Sequence, residues 1–297
     1  MKDGVWATVL AILAAALYAI NSPLSKLLLG HELVGPTMMA AFLYLGAGFG
    51  LLLYGLVEAR VKRGIQSERL TKRELPYTVA MVVLDVIAPI LLMLGIARTN
   101  SANASLLNNF EIVATSVIAL AVFKEVISRR LWLAIGLVTL ASVILSFEGD
   151  GAWVFNEGSL LVLGSCVCWG FENNCTKMIS HKSSTEIVVI KGCFSGLGSL
   201  LIALGLGESF PAPLWLLATL LLGFVAYGLS IKCYIMAQKD LGAAKTSAFY
   251  SIAPFLGVAF GMALLGERPG GQFYVALAIM AVSTVLMVRD SLALRQG

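Results

Sequence analysis

The feature that most constrains this chain is a succession of apolar stretches, each about 20 residues long and separated by short charged or turn-rich connections. We number them segments one to ten, at 5–29, 35–58, 76–97, 101–123, 130–147, 157–180, 185–206, 212–236, 242–265 and 271–288. A helix of about 20 residues crosses the hydrocarbon core of a bilayer and satisfies its own backbone hydrogen bonds there. Barrel strands would alternate in polarity, and these stretches do not. We therefore expect an all-α membrane protein with ten transmembrane helices.

The composition excludes the common classes of soluble protein. Of the 297 residues, 59% are hydrophobic and 13% are charged, whereas a soluble chain carries about a quarter charged residues. A water-soluble core could not hide this much apolar side chain. We exclude cytosolic enzymes, secreted enzymes and nucleic-acid-binding modules, and we expect the lipid bilayer as a partner.

Lysine and arginine cluster in alternate connections. The connection after segment two is the richest, with Arg60, Lys62, Arg63, Arg69, Lys72 and Arg73. Basic connections stay in the cytoplasm, so both chain ends should be cytoplasmic. We interpret this cluster as a topology signal beside anionic lipid and not as a nucleic-acid site.

The two halves of the chain carry similar motifs in the same order. The matching pairs are Tyr18-Ala19 with Lys26 and Trp169-Gly170 with Lys177, Ile96-Ala97-Arg98 and Ala237-Gln238-Lys239, and Lys124-Glu125 and Gly266-Glu267. We divide the chain into repeats at 1–148 and 149–297, each with five segments. Because five is odd, the second repeat enters the membrane from the opposite side. Inverted repeats are typical of secondary transporters, in which a site between the halves opens alternately to each face.

On these motifs the chain resembles the drug/metabolite transporter superfamily, specifically the ten-span permeases with two EamA-type repeats. The resemblance covers nearly the whole chain and rests on Trp169-Gly170 with Lys177, on Ala102 through Glu111 followed by Glu125, and on Gly242-Ala243, Pro254 and Gly266-Glu267-Arg268. The first copy has Ile112 where the family often has proline. The second keeps Pro254 but has Ala253 in place of the acid. The resemblance implies secondary transport of small organic metabolites across a bacterial inner membrane.

Three acidic residues lie inside segments, namely Asp85 in segment three, Glu111 in segment four and Glu172 in segment six. An ionisable group at bilayer depth costs about 2.5–3.5 kcal/mol and usually marks a pathway. All three are candidates for proton coupling. Each has a structural alternative: Glu111 as an interhelical hydrogen-bonder, Asp85 as a structural partner and Glu172 as the ion-pair partner of Lys191. We favour function for Glu111, leave the other two acids open, and favour Lys191 as a counter-ion over a substrate ligand.

Helical spacing gathers polar and aromatic residues into stripes on segments one, four, six and nine. Facing one another, the stripes would line a polar cavity in which aromatic rings stack on a cation. Simple packing is the alternative interpretation of the rings. Asn108 and Asn109 point to different sides, so at most one lines the cavity. The candidate substrate-binding residues are Tyr18, Asn21, Ser105, Asn108, Glu111, Trp169, Glu172 and Tyr250.

The leading hypothesis is a secondary active transporter that works by alternating access, with proton coupling or exchange. The three acids inside the segments outnumber the one base, Lys191. This negative balance favours a cationic or zwitterionic substrate, such as an organic amine or an amino acid. The alternatives are a multidrug or organic-cation exporter and a channel-like facilitator. An intramembrane enzyme is disfavoured because the two histidines, His31 and His181, lie in connections and form no catalytic or metal-binding motif. We expect no metal and no cofactor.

Overall fold

A computed structural model describes residues 2–30, 33–61, 70–123, 128–146, 156–179, 182–241 and 249–293. These ranges are helical and contain no strand, which confirms the all-α class for this part of the chain. The histidines and the motifs Lys124-Glu125 and Gly242-Ala243 lie outside the described residues. The α-helices are Lys2–Ala19 and Asn21–Gly30 (segment one), Pro36–Val61 (two), Leu75–Arg98 (three), Ser101–Leu107 and Phe110–Phe123 (four), Arg129–Ser146 (five), Glu157–Ile179 (six), Ser184–Ile190 and Gly196–Gly205 (seven), Pro213–Gly223 and Ser230–Leu241 (eight), Ala253–Leu265 (nine) and Gly271–Ala293 (ten).

Seven helical stretches of the described residues are long and apolar enough to cross a membrane, and they correspond to segments one to five, seven and eight. Segments nine and ten supply shorter apolar helices, at Ala253–Leu265 and Gly271–Leu286. Segment six forms a helix of 23 residues, about 34 Å long at 1.5 Å per residue, but it carries more polar side chains. The chain is a multi-pass membrane protein.

Five segments are interrupted within the residues that the structure describes. Segment one has a turn at Ile20, segment four at Asn108-Asn109 and segment nine at Ser251-Ile252. In segment four the Asn109 side chain donates to the Leu106 carbonyl at 3.2 Å, so it competes with the backbone ladder. Segments seven and eight each contain a π-helical turn, at Lys191–Ser195 and Phe224–Leu229. Such turns often occur at functional sites.

The helix pairs that pack together correspond between the two halves of the chain, when segments one to five are matched with segments six to ten. Segment three packs along segment six, as segment eight packs along segment one. Segment four packs on six, as nine packs on one. Segments five and ten, four and nine, and two and seven also pack together. Each of these pairs becomes its counterpart when segments one to five are exchanged with six to ten, so the repeat is present in the packing as well as in the sequence.

Glycines let segment two approach segments seven and eight at backbone distance. A Cβ added at Gly48 would lie 2.6 Å from the Cys193 nitrogen, and one added at Gly46 would overlap the Leu220 backbone. Small residues permit this kind of close helix contact within a membrane. Because Tyr44 lies one turn before Gly48, the contact fixes Tyr44 relative to Lys191 at the start of the π-helical turn.

Candidate functional site

Three charged side chains form a buried cluster, which we call the triad: Asp85, Glu172 and Lys191. The Lys191 Nζ lies 3.1 Å from Asp85 Oδ2 and 3.0 Å from Glu172 Oε1. The side chains of the two acids are 0% and 1% exposed, and that of Lys191 is 16% exposed. The triad therefore ties together segments three, six and seven. With all three groups ionised it carries one excess negative charge.

The acids of the triad have further hydrogen-bond donors. Asp85 Oδ1 accepts from the Tyr44 hydroxyl at 3.0 Å and from Trp169 Nε1 at 3.2 Å. The Thr176 hydroxyl donates to the Glu172 carboxylate one turn earlier on the same helix. Buried charges are tolerated when they are paired and hydrogen-bonded, and both conditions are met here. Segment two joins the cluster through Tyr44.

Glu111 has a different environment. It follows the turn in segment four, and its Oε1 accepts a hydrogen bond from Asn173 Nδ2 at 2.7 Å. Asn173 also reaches the Thr115 hydroxyl at 3.3 Å, which joins segment six to segment four. Glu111 is partly exposed, and no ion pair to it is found among the described residues. Its carboxylate is therefore held in place by an amide, with no ion-pair partner in the described part of the chain.

Five tyrosines from segments one, two, eight and nine form a connected group, which we call the tyrosine cluster: Tyr18, Tyr44, Tyr227, Tyr234 and Tyr250. The ring centroid of Tyr18 lies 5.8 Å from that of Tyr227 and 6.0 Å from that of Tyr250, and Tyr44 lies 5.4 Å from Tyr227. The Asn21 amide donates to the Tyr227 hydroxyl at 3.1 Å. Tyr44 connects the cluster to the triad.

The Glu111 carboxylate belongs to the same region as the tyrosine cluster. It is close enough to act electrostatically on Tyr18, Tyr227 and Tyr250. An aromatic face attracts a cation, and the attraction grows when water is excluded. A carboxylate within electrostatic range of several tyrosine rings is an arrangement suited to binding an ammonium group. The residues of this arrangement come from both halves of the chain.

Of the remaining two candidate residues, Ser105 lies before the turn in segment four and Asn108 lies in it. The Asn108 Oδ1 is 3.9 Å from the Cys166 sulfur. Ser105 is buried beside Gly257 of segment nine, and its hydroxyl has no hydrogen-bond partner in the described part of the chain. Because the helix is broken between Ser105 and Glu111, the single stripe expected for a continuous helix is divided between different neighbours.

Sequence analysis did not single out Tyr44, Tyr227 or Asn173. Tyr44 and Tyr227 lie in apolar segments with no polar stripe to identify them. A signal was nevertheless available, because a tyrosine hydroxyl in the middle of an apolar helix needs a hydrogen-bond partner. Asn173 follows Glu172 directly in the sequence, and its position along segment six says nothing about the helix that it contacts.

Comparison with known proteins finds two matches to one family model within the chain. The model of the EamA-like transporter family matches residues 5–147 and again residues 156–289. An "uncharacterized transporter" of Methanothermobacter thermautotrophicus is 27% identical over 278 residues, which cover 88% of this chain and 80% of that protein. The "uncharacterized transporter YyaM" of Bacillus subtilis is 22% identical over 243 residues, covering 76% of this chain and 78% of its own. A crystal structure with 17% sequence identity aligns over 94% of both chains with a TM-score of 0.68, so the two share a fold.

Proposed function

Because the chain belongs to the EamA-like transporter family, we propose that it is a secondary active transporter of a small organic solute that works by alternating access. In this proposal ten transmembrane helices form two inverted repeats, 1–148 and 149–297, in a bacterial inner membrane with both termini in the cytoplasm. The interrupted segments one, four and nine support it, since transporters build their sites at discontinuous helices between repeats.

The substrate class rests on one observation, which is a partly exposed Glu111 carboxylate within electrostatic range of the tyrosine cluster. The carboxylate has a single hydrogen-bond donor, Asn173, and no basic partner in the described chain. A positively charged solute would supply the missing charge, and the rings of Tyr18, Tyr227 and Tyr250 would contact it. We therefore propose that the solute carries an ammonium group.

An organic amine is favoured over a zwitterionic amino acid by the state of Lys191. A substrate carboxylate would need a positive partner, and Lys191 is the base that lies inside this region. Its ammonium is already bound by Asp85 and Glu172, at 3.1 and 3.0 Å. A substrate carboxylate would have to displace one of two buried acids, which would then lose its counter-ion.

Coupling to protons requires only that the proton and the solute compete for Glu111. A carboxylate that binds a proton on one face of the membrane and the solute on the other links the two movements. Asp85 and Glu172 are further candidates for this role, but each already has Lys191 as a counter-ion. Import and export use the same cycle, and the gradients decide the direction.

The proposal is tested with purified protein and defined probes. Thermal unfolding is measured with alkylamines, quaternary ammonium compounds and amino acids, because a ligand that binds the folded state raises the melting temperature. The best probe is then used for uptake into proteoliposomes with an imposed pH gradient. We expect stabilisation by amines and saturable, gradient-driven uptake. Uptake that grows linearly with concentration and ignores the pH gradient would indicate a channel and contradict the proposal.

A further inference from the structure

Two charged side chains from other segments, Lys26 and Glu267, bind the backbone of the short turn between segments three and four. This turn, residues 96–102, joins the end of helix Leu75–Arg98 to the start of helix Ser101–Leu107. A helix leaves carbonyls without partners at its end and N–H groups without partners at its start. A cation suits the first position and an anion suits the second. The structure supplies both from other segments.

The anion is Glu267, which follows segment nine. Its Oε1 accepts from the Ser101 N–H at 2.7 Å, and its Oε2 accepts from the Ser101 hydroxyl and the Ala102 N–H, both at 2.9 Å. The next N–H, that of Asn103, is bound by the Asn100 side chain at 2.7 Å. Glu267, which belongs to the other half of the chain, thus caps the N-terminus of the first helix of segment four.

The cation is Lys26 of segment one. Its Nζ donates to the carbonyl oxygens of Ile96 and Ala97 at 2.8 and 3.1 Å. These carbonyls belong to the last turn of segment three. The two sides of the 96–102 turn are therefore held by opposite charges, one from segment one and one from the end of segment nine.

Two glycines of segment nine make the Glu267 contact possible. Gly266 ends the helix in the left-handed region, with φ of 63°, and so turns the chain where Glu267 follows. Gly261 faces the contact, because a Cβ there would lie 2.6 Å from the Ser101 hydroxyl and 2.9 Å from Glu267 Oε2. The local backbone is thus shaped around this one carboxylate.

We propose that Glu267 is a positioning residue that keeps the solute pathway closed at the 96–102 turn, and that its contacts with Ser101 and Ala102 break when the pathway opens on that face. The inference rests on the proposed alternating access, since it assigns the contact to one state of the cycle. Segments four and nine meet beside this turn, where Gly257 and Gly261 of segment nine lie against Ser105 and Ser101 of segment four. The hydrogen bonds of Glu267 therefore lie at a contact between the two halves of the chain, which alternating access has to separate on one face.

A native thiol reports on this opening. Cys166 of segment six is fully buried, and its sulfur lies 3.6 Å from the Leu107 carbonyl beside the turn in segment four. The test uses the full-length protein with Cys168, Cys175, Cys193 and Cys233 replaced by alanine. Right-side-out and inside-out vesicles are treated with a membrane-impermeant methanethiosulfonate. A cysteine introduced at Arg98, which lies exposed at the end of segment three, identifies the face that carries the turn.

Replacing Glu267 by Gln removes the charge that three donors share. Hydrogen bonds to charged groups contribute enough that losing them changes a conformational equilibrium about tenfold. We expect Cys166 in Glu267→Gln to react about ten times faster from the face that carries the turn, with no change from the other face. Glu267→Asp, which keeps the charge, should give an intermediate rate.

The matched control is Glu208→Gln. Glu208 also binds two N–H groups at a helix start, those of Thr37 and Met38 at 3.1 and 2.7 Å, but the helix is segment two. Its loss should leave the Cys166 rate unchanged. Equal acceleration by both variants, acceleration from both faces, or no acceleration in Glu267→Gln would overturn the proposal.

A second variant keeps the test readable if Glu267→Gln does not fold. Ser101→Ala removes the hydroxyl bond and leaves the two backbone bonds, so the rate should rise about threefold. An unchanged rate in that variant would overturn the proposal. Labelling needs no transported solute, so this outcome can be distinguished from a failure of the amine-transport proposal.

Discussion

The triad and the Glu111 site both place a carboxylate inside the apolar part of the protein, yet they differ in what surrounds the charge. Asp85 and Glu172 are fully buried and share Lys191, and Asp85 receives two further hydrogen bonds, from Tyr44 and Trp169. Glu111 is partly exposed and has one amide donor. The buried acids already have a counter-ion, Lys191. Glu111 has none among the described residues, so a bound cation could take that position.

This difference indicates how one kind of residue can serve two purposes in the same membrane protein. A carboxylate whose counter-ion comes from the protein stabilises one arrangement of helices. A carboxylate whose counter-ion is lacking is available to a solute or a proton. If this distinction holds, substitutions in the triad should affect stability first, and substitutions at Glu111 should affect transport first.

The largest effect is expected from Lys191→Met. It leaves two buried carboxylates without their cation, and removing one partner of a buried ion pair typically costs about 3–5 kcal/mol. The melting temperature of the purified protein should fall sharply. The double variant Lys191→Met with Asp85→Asn should recover part of the loss, because one uncompensated charge is gone. A single variant as stable as the parent would contradict a structural role for the triad.

Glu111→Gln should separate transport from folding. The variant loses the charge that we propose for binding an ammonium group, and a charge-assisted contact of about 1.5–3 kcal/mol corresponds to a loss of roughly 10- to 150-fold in apparent affinity. Amine uptake should also stop responding to the pH gradient, while the melting temperature stays near that of the parent. Glu111→Asp is the control that retains the charge. Unchanged pH dependence in Glu111→Gln would remove this residue from the coupling mechanism.

Tyr44→Phe tests the connection between the two regions. The variant removes one donor to Asp85 and keeps the ring that contacts Tyr227, so we expect a loss of stability of about 1.5 kcal/mol. Thermal unfolding measures this loss, and uptake at saturating amine should change little. A large fall in saturating uptake with unaltered stability would show that Tyr44 belongs to the solute pathway instead.

The smallest effect is expected from Asn173→Ala. It removes the neutral donor that orients Glu111, so amine affinity should fall about three- to tenfold in uptake assays. The neighbouring Asn174→Ala is the matched control, because Asn174 donates to the Thr115 and Gly170 carbonyls and not to Glu111. That variant should lower stability and leave affinity unchanged. Equal losses of affinity in both variants would contradict a specific role for Asn173.

Much of the architecture can be read from the sequence because hydrocarbon imposes strict rules on length and polarity. Apolar segments predicted the helical class, and the paired motifs predicted the repeat that the family match shows as well. The same rules explain why Asp85, Glu111 and Glu172 could be identified as unusual without knowledge of their neighbours. The sequence also allowed an ion pair between Glu172 and Lys191, and this pair is formed.

The arrangement around those acids could not be predicted in the same way. The stripe on segment four assumed a continuous helix, but the turn at Asn108-Asn109 interrupts it. Each π-helical turn inserts an extra residue, which rotates the following side chains by about 100° relative to a regular helix. Lys191 stands at the start of one such turn, and Tyr227 lies within the other. Which helices a side chain reaches depends on these local irregularities and not on spacing alone.

The glycine contacts of segment two have a consequence for how sequences like this one can diverge. Gly48 and Gly192 face each other with no space for a methyl group on either side. A mutation that adds a side chain at one of them displaces the facing backbone. No second substitution can compensate, because the facing residue is already glycine, the smallest residue. Among natural variants these two positions should therefore remain glycine. Lipid-facing residues one turn away should vary among apolar types.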